Sequence, residues 1–378
     1  MFIEEVKADI LRDPVSQEET VLVSVRTDEG EIGYGEGAAS GRAVKAIVES
    51  ETIDHGGWDV GVRTLLYGED PSDPATLWQR MREHTFWSCR SGVGHVALAA
   101  VDMALWDLAG KIHGVPAWQL MGPRKNSSLV PYATLYHGAG SFDETLERTL
   151  EAVDIVLDRG YRAAKVESME INVPDAAATI DLVAAVRSRV GTDFTLLLDM
   201  GYRWAGFDEA EYVVKELDQF TLFALEAPFP PHCLDDYRRL ADAIDTPLAS
   251  GDQLTAATDY SPLLESGTLS YVQAGAARTG ISDMGILAET ALRRGVQFLP
   301  WGWVPSGVAT WANIHRSVTE QNIPLIEYRD PELYPEGVLR SGLAASEPLL
   351  VDGEFELPSR PGLGVEVDLD LIERLRVP

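Results

Sequence analysis

The sequence predicts an α/β protein: a closed parallel barrel preceded by a smaller α+β module. Three observations carry that reading. After Val130, strand-like segments recur near residues 132, 165, 197, 224, 249, 272, 298 and 326, with helical stretches between them; eight strands alternating with helices close into a barrel. The first 50 residues alternate in a different way, as short strands joined by turns, and read as an antiparallel sheet. Finally, three acidic residues each directly follow an apolar run: Asp199 after FTLLL, Glu226 after LFAL and Asp252 after TPLASG. Their spacings of 27 and 26 residues equal one strand, one helix and two loops, which puts them at the C-terminal ends of consecutive strands, where such barrels carry their chemistry.

Taken in order, VKADI, TVLVSVRT and EIGYGEG are the expected strands of the first sheet, with turns at Asp13-Pro14 and Asp28-Glu29-Gly30. From Pro74 to Met121 the period becomes helical, and HVALAAVDMALWDLAGK keeps apolar residues at i, i+3 and i+4 until Gly110. Residues 1–125 form the expected capping module and 126–340 the barrel. The barrel opens with VPYATLY, a helix from Asp143 to Arg159, AAKVE, a helix from Pro174 to Val190, and FTLLLD. The tail, 341–378, has no barrel strand left to supply and is expected to fold back on the capping module.

The net charge of −29 repels phosphate backbones and anionic lipid, so nucleic acid and membrane are not expected partners. Cys89 and Cys233, the two cysteines, read as free thiols. No apolar run approaches the roughly 18 residues of a membrane span, and MFIEEVKADI lacks the basic start and apolar stretch of a signal peptide, so a cytoplasmic protein is expected. Three hard oxygen donors with no His or Cys among them specify Mg2+ rather than zinc.

Gly33-Tyr34-Gly35-Glu36, Val101 to Asp107 with Gly110-Lys111, the acidic trio, and Pro361-Gly362-Leu363-Gly364 occur in an order that resembles the enolase superfamily, in its mandelate racemase and muconate-lactonizing branch. The likeness covers the whole chain. It implies a modified (β/α)7β barrel under a capping domain completed by the C-terminal tail. It also implies Mg2+ held by Asp199, Glu226 and Asp252, and removal of the proton α to a substrate carboxylate, with the ion absorbing the charge of the enediolate. The third ligand is Asp where this branch more often has Glu.

The acid and base positions depart from the family pattern. The second strand carries Lys165 and Glu167 where two lysines are usual; two apart on a strand, they face the same side. A carboxylate beside Lys165 and near Mg2+ is expected to be strongly ionised and a weak base unless desolvation raises its basicity. The alternative is an ion pair with a positioning role only. On the opposite face Gly275 stands at the usual Asp place and Trp301 at the usual His place, and no lysine follows Lys215. Two-base racemization by the usual residues is therefore excluded. Other candidates to move a proton are Tyr136 and His137 at the end of the first strand, Tyr202 and Arg203 after Asp199, and Glu327 on the eighth strand. Trp301 and Trp303 are expected to wall the pocket or pack the core. The loop Asp13–Glu19, which in relatives closes over the substrate, is short, so a large substrate or a neighbouring subunit of a homo-oligomer completes the lid.

The expected activity is Mg2+-dependent dehydration of a sugar acid to a 2-keto-3-deoxy acid, since elimination needs only one abstraction face. A cycloisomerase of a sugar-acid lactone and a non-catalytic metal-binding protein are the alternatives. In each case the partner is a small-molecule carboxylate or its lactone.

Overall fold

The structure, a computed structural model, describes residues 1–135, 140–169, 173–334, 337–344 and 347–377. Strands β1 (Ile3–Arg12), β2 (Glu19–Thr27) and β3 (Ile32–Gly37) form an antiparallel sheet. Helices α1 (Gly41–Val48), α2 (Pro74–His84) and α3 (Gly92–His113) accompany it. The glycines of β3 have a steric purpose. A Cβ on Gly33 would lie 2.1 Å from the Ala104 carbonyl oxygen, and one on Gly35 2.0 Å from that of Ala100, so α3 rests on this strand only because no side chain intervenes.

The barrel follows as β4 (Pro131–Leu135), α4 (Phe142–Asp158), β5 (Ala163–Glu167), α5 (Ala176–Val190), β6 (Thr195–Asp199), α6 (Phe207–Leu217), β7 (Ala224–Glu226), α7 (Leu234–Ala243), β8 (Leu248–Ser250), α8 (Ser261–Ser266), β9 (Tyr271–Ala274), α9 (Ile281–Arg293), β10 (Gln297–Pro300), α10 (Val308–Val318) and β11 (Ile326–Tyr328). Local chemistry starts the helices: Ser141 and Glu144 form a capping box on α4, and the Asp175 carboxylate accepts from Ala178 N at the start of α5. All eight strands expected from the sequence are present, and neighbours pair in parallel in the order β10-β9-β8-β7-β6-β5-β4-β11. The ring is nearly closed. Across the remaining seam, Phe298 N donates to Asn322 O at 2.8 Å and Gly302 N to the Glu327 carboxylate at 2.8 Å. Each strand sends one residue into an interior layer: Tyr132, Ala163, Leu197, Ala224, Ala249, Tyr271, Leu299, and Leu325 just ahead of β11. This layer is the floor beneath the polar site.

The motif residues that carry the family resemblance join the two parts. Glu36 is fully buried and accepts from Thr20 Oγ1, Ser306 N and, at 3.1 Å, Ala309 N, holding the start of α10. Asp102 accepts from both the backbone N and the hydroxyl of Ser282 at the start of α9. Asp107 binds Tyr34 N, Lys111 Nζ and Leu363 N, fastening the PGLG segment to α3. A last strand, β12 (Arg376–Val377), pairs antiparallel with β1.

One sequence expectation needs correction. By length and composition α3 is apolar enough to cross a membrane, because Asp102 and Asp107 interrupt its apolar run without making it polar. In the fold 89% of that stretch is buried, with Val96, Leu98, Ala100, Val101 and Leu105 in the core beneath the β1–β3 sheet.

Candidate active site

Lys165 is the centre of the polar layer. The cross-strand register sets Glu167 beside Asp199 and Asp199 beside Glu226, and adjacent strands lie only about 4.8 Å apart. Three carboxylates in one row repel one another unless a cation sits among them. The Lys165 ammonium, 1% exposed, lies 2.8 Å from Glu226, 2.8 Å from Glu327 and 3.2 Å from Asp199. Burial alone would discharge this amine. The carboxylates of Glu226, Glu327 and Asp199 more than reverse that, and hold its pKa well above the ordinary lysine value. Glu327 is a fixed node, also accepting from Thr134 Oγ1 at 2.6 Å and Gly302 N at 2.8 Å.

Glu167 is buried on the same side of the second strand as Lys165, whose ammonium pairs with three other carboxylates. Burial first, and then the Asp199 charge, push the Glu167 carboxyl well above its usual range, and Lys165 only partly offsets them. Glu226 is raised by the same causes in the same order. Asp252 is raised by burial and Asp199, against hydrogen bonds from Tyr202 and Gln253 that favour its charge.

The donor chemistry fits a hard dication. Among the described residues the carboxylates of Glu167, Asp199, Glu226, Asp252 and Glu327 are all buried, and three of them, Asp199, Glu226 and Glu327, pair with the Lys165 ammonium. Glu226 Oε2 is buried without a hydrogen-bond partner, an acceptor left over for a cation. Yet no group of three or more His, Cys, Asp or Glu side chains among the described residues is arranged to hold an ion as it stands. Lys165 occupies Asp199 and Glu226, and the Tyr202 hydroxyl donates to Asp252 Oδ1.

The opposite face is closed by packing. A Cβ on Gly275 would lie 2.3 Å from the Trp301 carbonyl oxygen and 2.9 Å from its ring carbon Cε3, so the indole fills the space that a sixth-strand side chain would need. Trp301 is 7% exposed and belongs to the main core, with the Arg278 guanidinium 4.8 Å from its ring centre. Arg278 binds Gln253 at 2.7 Å, and Gln253 binds Asp252 Oδ2 at 2.8 Å. The tryptophan thereby buttresses the third acidic residue.

Two non-glycine residues beside the carboxylates adopt left-handed backbone: Tyr202 with φ 61° and Ala227, directly after Glu226, with φ 47°. Each costs about 1–3 kcal/mol, and such strain concentrates at functional sites. Sequence reading named Tyr202 but missed Ala227, Gln253 and Arg278, because their roles rest on φ angles and partners distant in sequence. Arg203 donates to the carbonyl and hydroxyl of Ser168, next to Glu167. Tyr136 and His137 lie outside the described residues.

A parallel barrel that gathers carboxylates and one lysine at its C-terminal mouth, with a capping sheet fastened to it by buried acids, is the architecture of an α/β-barrel enzyme. The pattern described as enolase C-terminal domain-like matches residues 148–371, and that of the mandelate racemase/muconate lactonizing enzyme N-terminal domain matches residues 5–122. The chain belongs to the enolase superfamily, in its mandelate racemase and muconate-lactonizing branch, and is an enzyme of that family. It is 27% identical to the D-galactarolactone cycloisomerase of Agrobacterium fabrum, over 95% of this chain and 91% of the relative. It is 28% identical to a D-galactonate dehydratase family member of Halomonas elongata, over 92% and 89%. Among solved structures, a racemase from Streptomyces coelicolor with bound magnesium superimposes with a TM-score of 0.83 at 24% identity, over 100% of both chains, a likeness of fold.

Proposed function

We propose that this enzyme abstracts the proton α to the carboxylate of a sugar acid and eliminates the β-hydroxyl, giving a 2-keto-3-deoxy acid, with Mg2+ held by Asp199, Glu226 and Asp252. The observation that carries the reading is a single usable face. Glu167 and Lys165 line the second-strand side, while Gly275 and Trp301 block the other. Relatives named as a sugar-lactone cycloisomerase and a galactonate dehydratase family member support the substrate class.

Bound there, Mg2+ supplies charge stabilisation for the enediolate. The chain's own residues do the rest. Glu167, whose proton affinity burial and Asp199 raise, takes the α-proton. Lys165, held charged, keeps Asp199, Glu226 and Glu327 oriented and adds positive potential beside the developing anion. As the enediolate collapses, the Cβ–O bond breaks, the hydroxyl leaves as water with a proton from Tyr136 or His137 at the end of the first strand, and the enol tautomerises to the ketone. Trp301 keeps water away from the unused face.

A second reading, cycloisomerisation of a sugar-acid lactone, is favoured by the Agrobacterium relative and needs the same single base. Proton NMR of acid sugars and lactones in D2O with Mg2+ separates the two: dehydration yields a new methylene signal, cycloisomerisation a rearranged lactone. Glu167→Gln is expected to abolish α-proton exchange with substrate affinity nearly unchanged, because the amide keeps the shape and loses the basicity. If that variant exchanges at the wild-type rate while His137→Asn or Tyr136→Phe does not exchange, the base is on the first strand instead.

A further inference from the structure

The eighth strand places one more side chain inward beyond Glu327. Leu325 belongs to the interior floor, Glu327 meets Lys165 inside the barrel, and Tyr328 faces away, against Phe355 and Glu347. Alternation then aims Arg329 over the barrel mouth. Arg329 is 7% exposed. Its Nη2 donates to Glu18 of the cap loop at 2.9 Å, and its guanidinium lies 4.4 Å from the ring centre of Trp303 and 5.3 Å from that of Tyr334. Nε and Nη1 are buried with no hydrogen-bond partner.

Holding Glu18 explains only one of the three nitrogens. A buried guanidinium with two unsatisfied nitrogens is costly, whereas its planar fork suits a second carboxylate. The nitrogens that Glu18 leaves open are Nε and Nη1. Trp303, half buried, packs on this guanidinium. Two strand residues advance about 6.6 Å, so Arg329 stands beyond the level of Glu327 toward the cap loop that holds Glu18.

We propose that Arg329 receives a second carboxylate, making the substrate an aldarate or its monolactone rather than an aldonate. This rests on the sugar-acid reading of the site and narrows it. Arg329 is a binding residue that selects among substrates and takes no part in proton transfer.

The test is calorimetric titration, at fixed Mg2+, of diacid and monoacid pairs that share their carbon stereochemistry: galactarate with galactonate, and glucarate with gluconate. Binding is read without turnover. Hence an enzyme that exchanges no α-proton yet prefers a diacid would sink the proposed reaction and leave this assignment standing. In wild type at least one diacid is expected to bind about 30-fold tighter than its monoacid, within the range of one charge-assisted pair. Arg329→Met should bring the two within about threefold of each other by weakening the diacid alone, and Arg329→Lys should keep part of the preference because charge survives and the fork does not. Glu18→Gln should retain the preference. The proposal is overturned if wild type shows no diacid preference in either pair, if Arg329→Met weakens both acids equally, or if Glu18→Gln reproduces the Arg329→Met result, which would reduce Arg329 to a tether for the cap loop.

Discussion

Replacing Lys165 by Met tests whether the ammonium stands among carboxylates that await a second cation. Lys165 is 1% exposed and is ion-paired with Asp199, Glu226 and Glu327. The methionine fits the space but leaves the row of acids with no internal countercharge. Removing one partner of a buried pair costs about 3–5 kcal/mol, a large share of the roughly 5–15 kcal/mol that keeps a domain folded. In EDTA the variant is therefore expected to unfold in urea with ~3–5 kcal/mol less stability than wild type. Adding Mg2+ should stabilise both proteins, by about 2.7 kcal/mol at a hundredfold excess over the dissociation constant. The variant should gain at least as much, because its carboxylates are no longer occupied by the ammonium. Equilibrium urea curves with and without Mg2+ measure both terms. A variant as stable as wild type in EDTA would refute the assigned charge balance. One that Mg2+ fails to stabilise would refute the metal site at Asp199, Glu226 and Asp252.

Two further outcomes are expected. Gly275→Ala should lose about 1–3 kcal/mol or more in urea unfolding, because its Cβ meets the Trp301 carbonyl at 2.3 Å and the backbone there cannot yield cheaply; wild-type stability would mean that the sixth-strand position is open after all. His315 is fully buried, accepts from Trp118 N at 3.1 Å, and is held by burial at a pKa of about 3 against 6.5 for the free side chain, the Leu363 backbone offsetting this only in part. Between those values the unfolded chain binds a proton that the folded chain does not, so this contribution is complete above pH 6.5 and is lost as pH falls toward 3. At 1.36 kcal/mol per unit the loss is about 2 kcal/mol by pH 5, so His315→Gln should show a stability slope from pH 7 to 5 flatter by that amount, and equal slopes would show that His315 is accessible to protons.

The barrel was legible because its signal is local. Runs such as FTLLLD and AAKVE carry their own strand period, and their spacing counts the turns of the fold. The placement of Asp199 and Glu226 at strand ends follows from the same runs. What the sequence could not disclose depends on residues far apart along the chain. Glu18 meets Arg329 across 311 positions and Glu36 meets Ala309 across 273, and no periodicity reports such pairs. The spacing of Lys165 and Glu167 correctly puts both inside the barrel, yet it suggests that they attend to each other, whereas the lysine turns to the neighbouring strands. Tyr202 and Ala227 carry left-handed backbone that neither residue type advertises.

The asymmetry of the site follows from how the barrel distributes its inward positions. On the seventh strand these are Leu299, Trp301 and Trp303, an apolar ladder that cannot hold an ion or carry a proton. On the sixth they are Tyr271, Gln273 and Gly275, the last yielding its place to the Trp301 ring. Among the described residues the carboxylates consequently lie on the arc from the second to the fifth strand, together with Glu327 on the eighth. On the proposed reading a sugar acid that reaches this mouth meets Glu167 on one side and an apolar wall on the other. Among the described residues an enediolate formed there meets no second base opposite Glu167 that could return its proton with inversion. The same substitutions that remove the usual two-base racemization are thus the reason that elimination is the reaction proposed for this site.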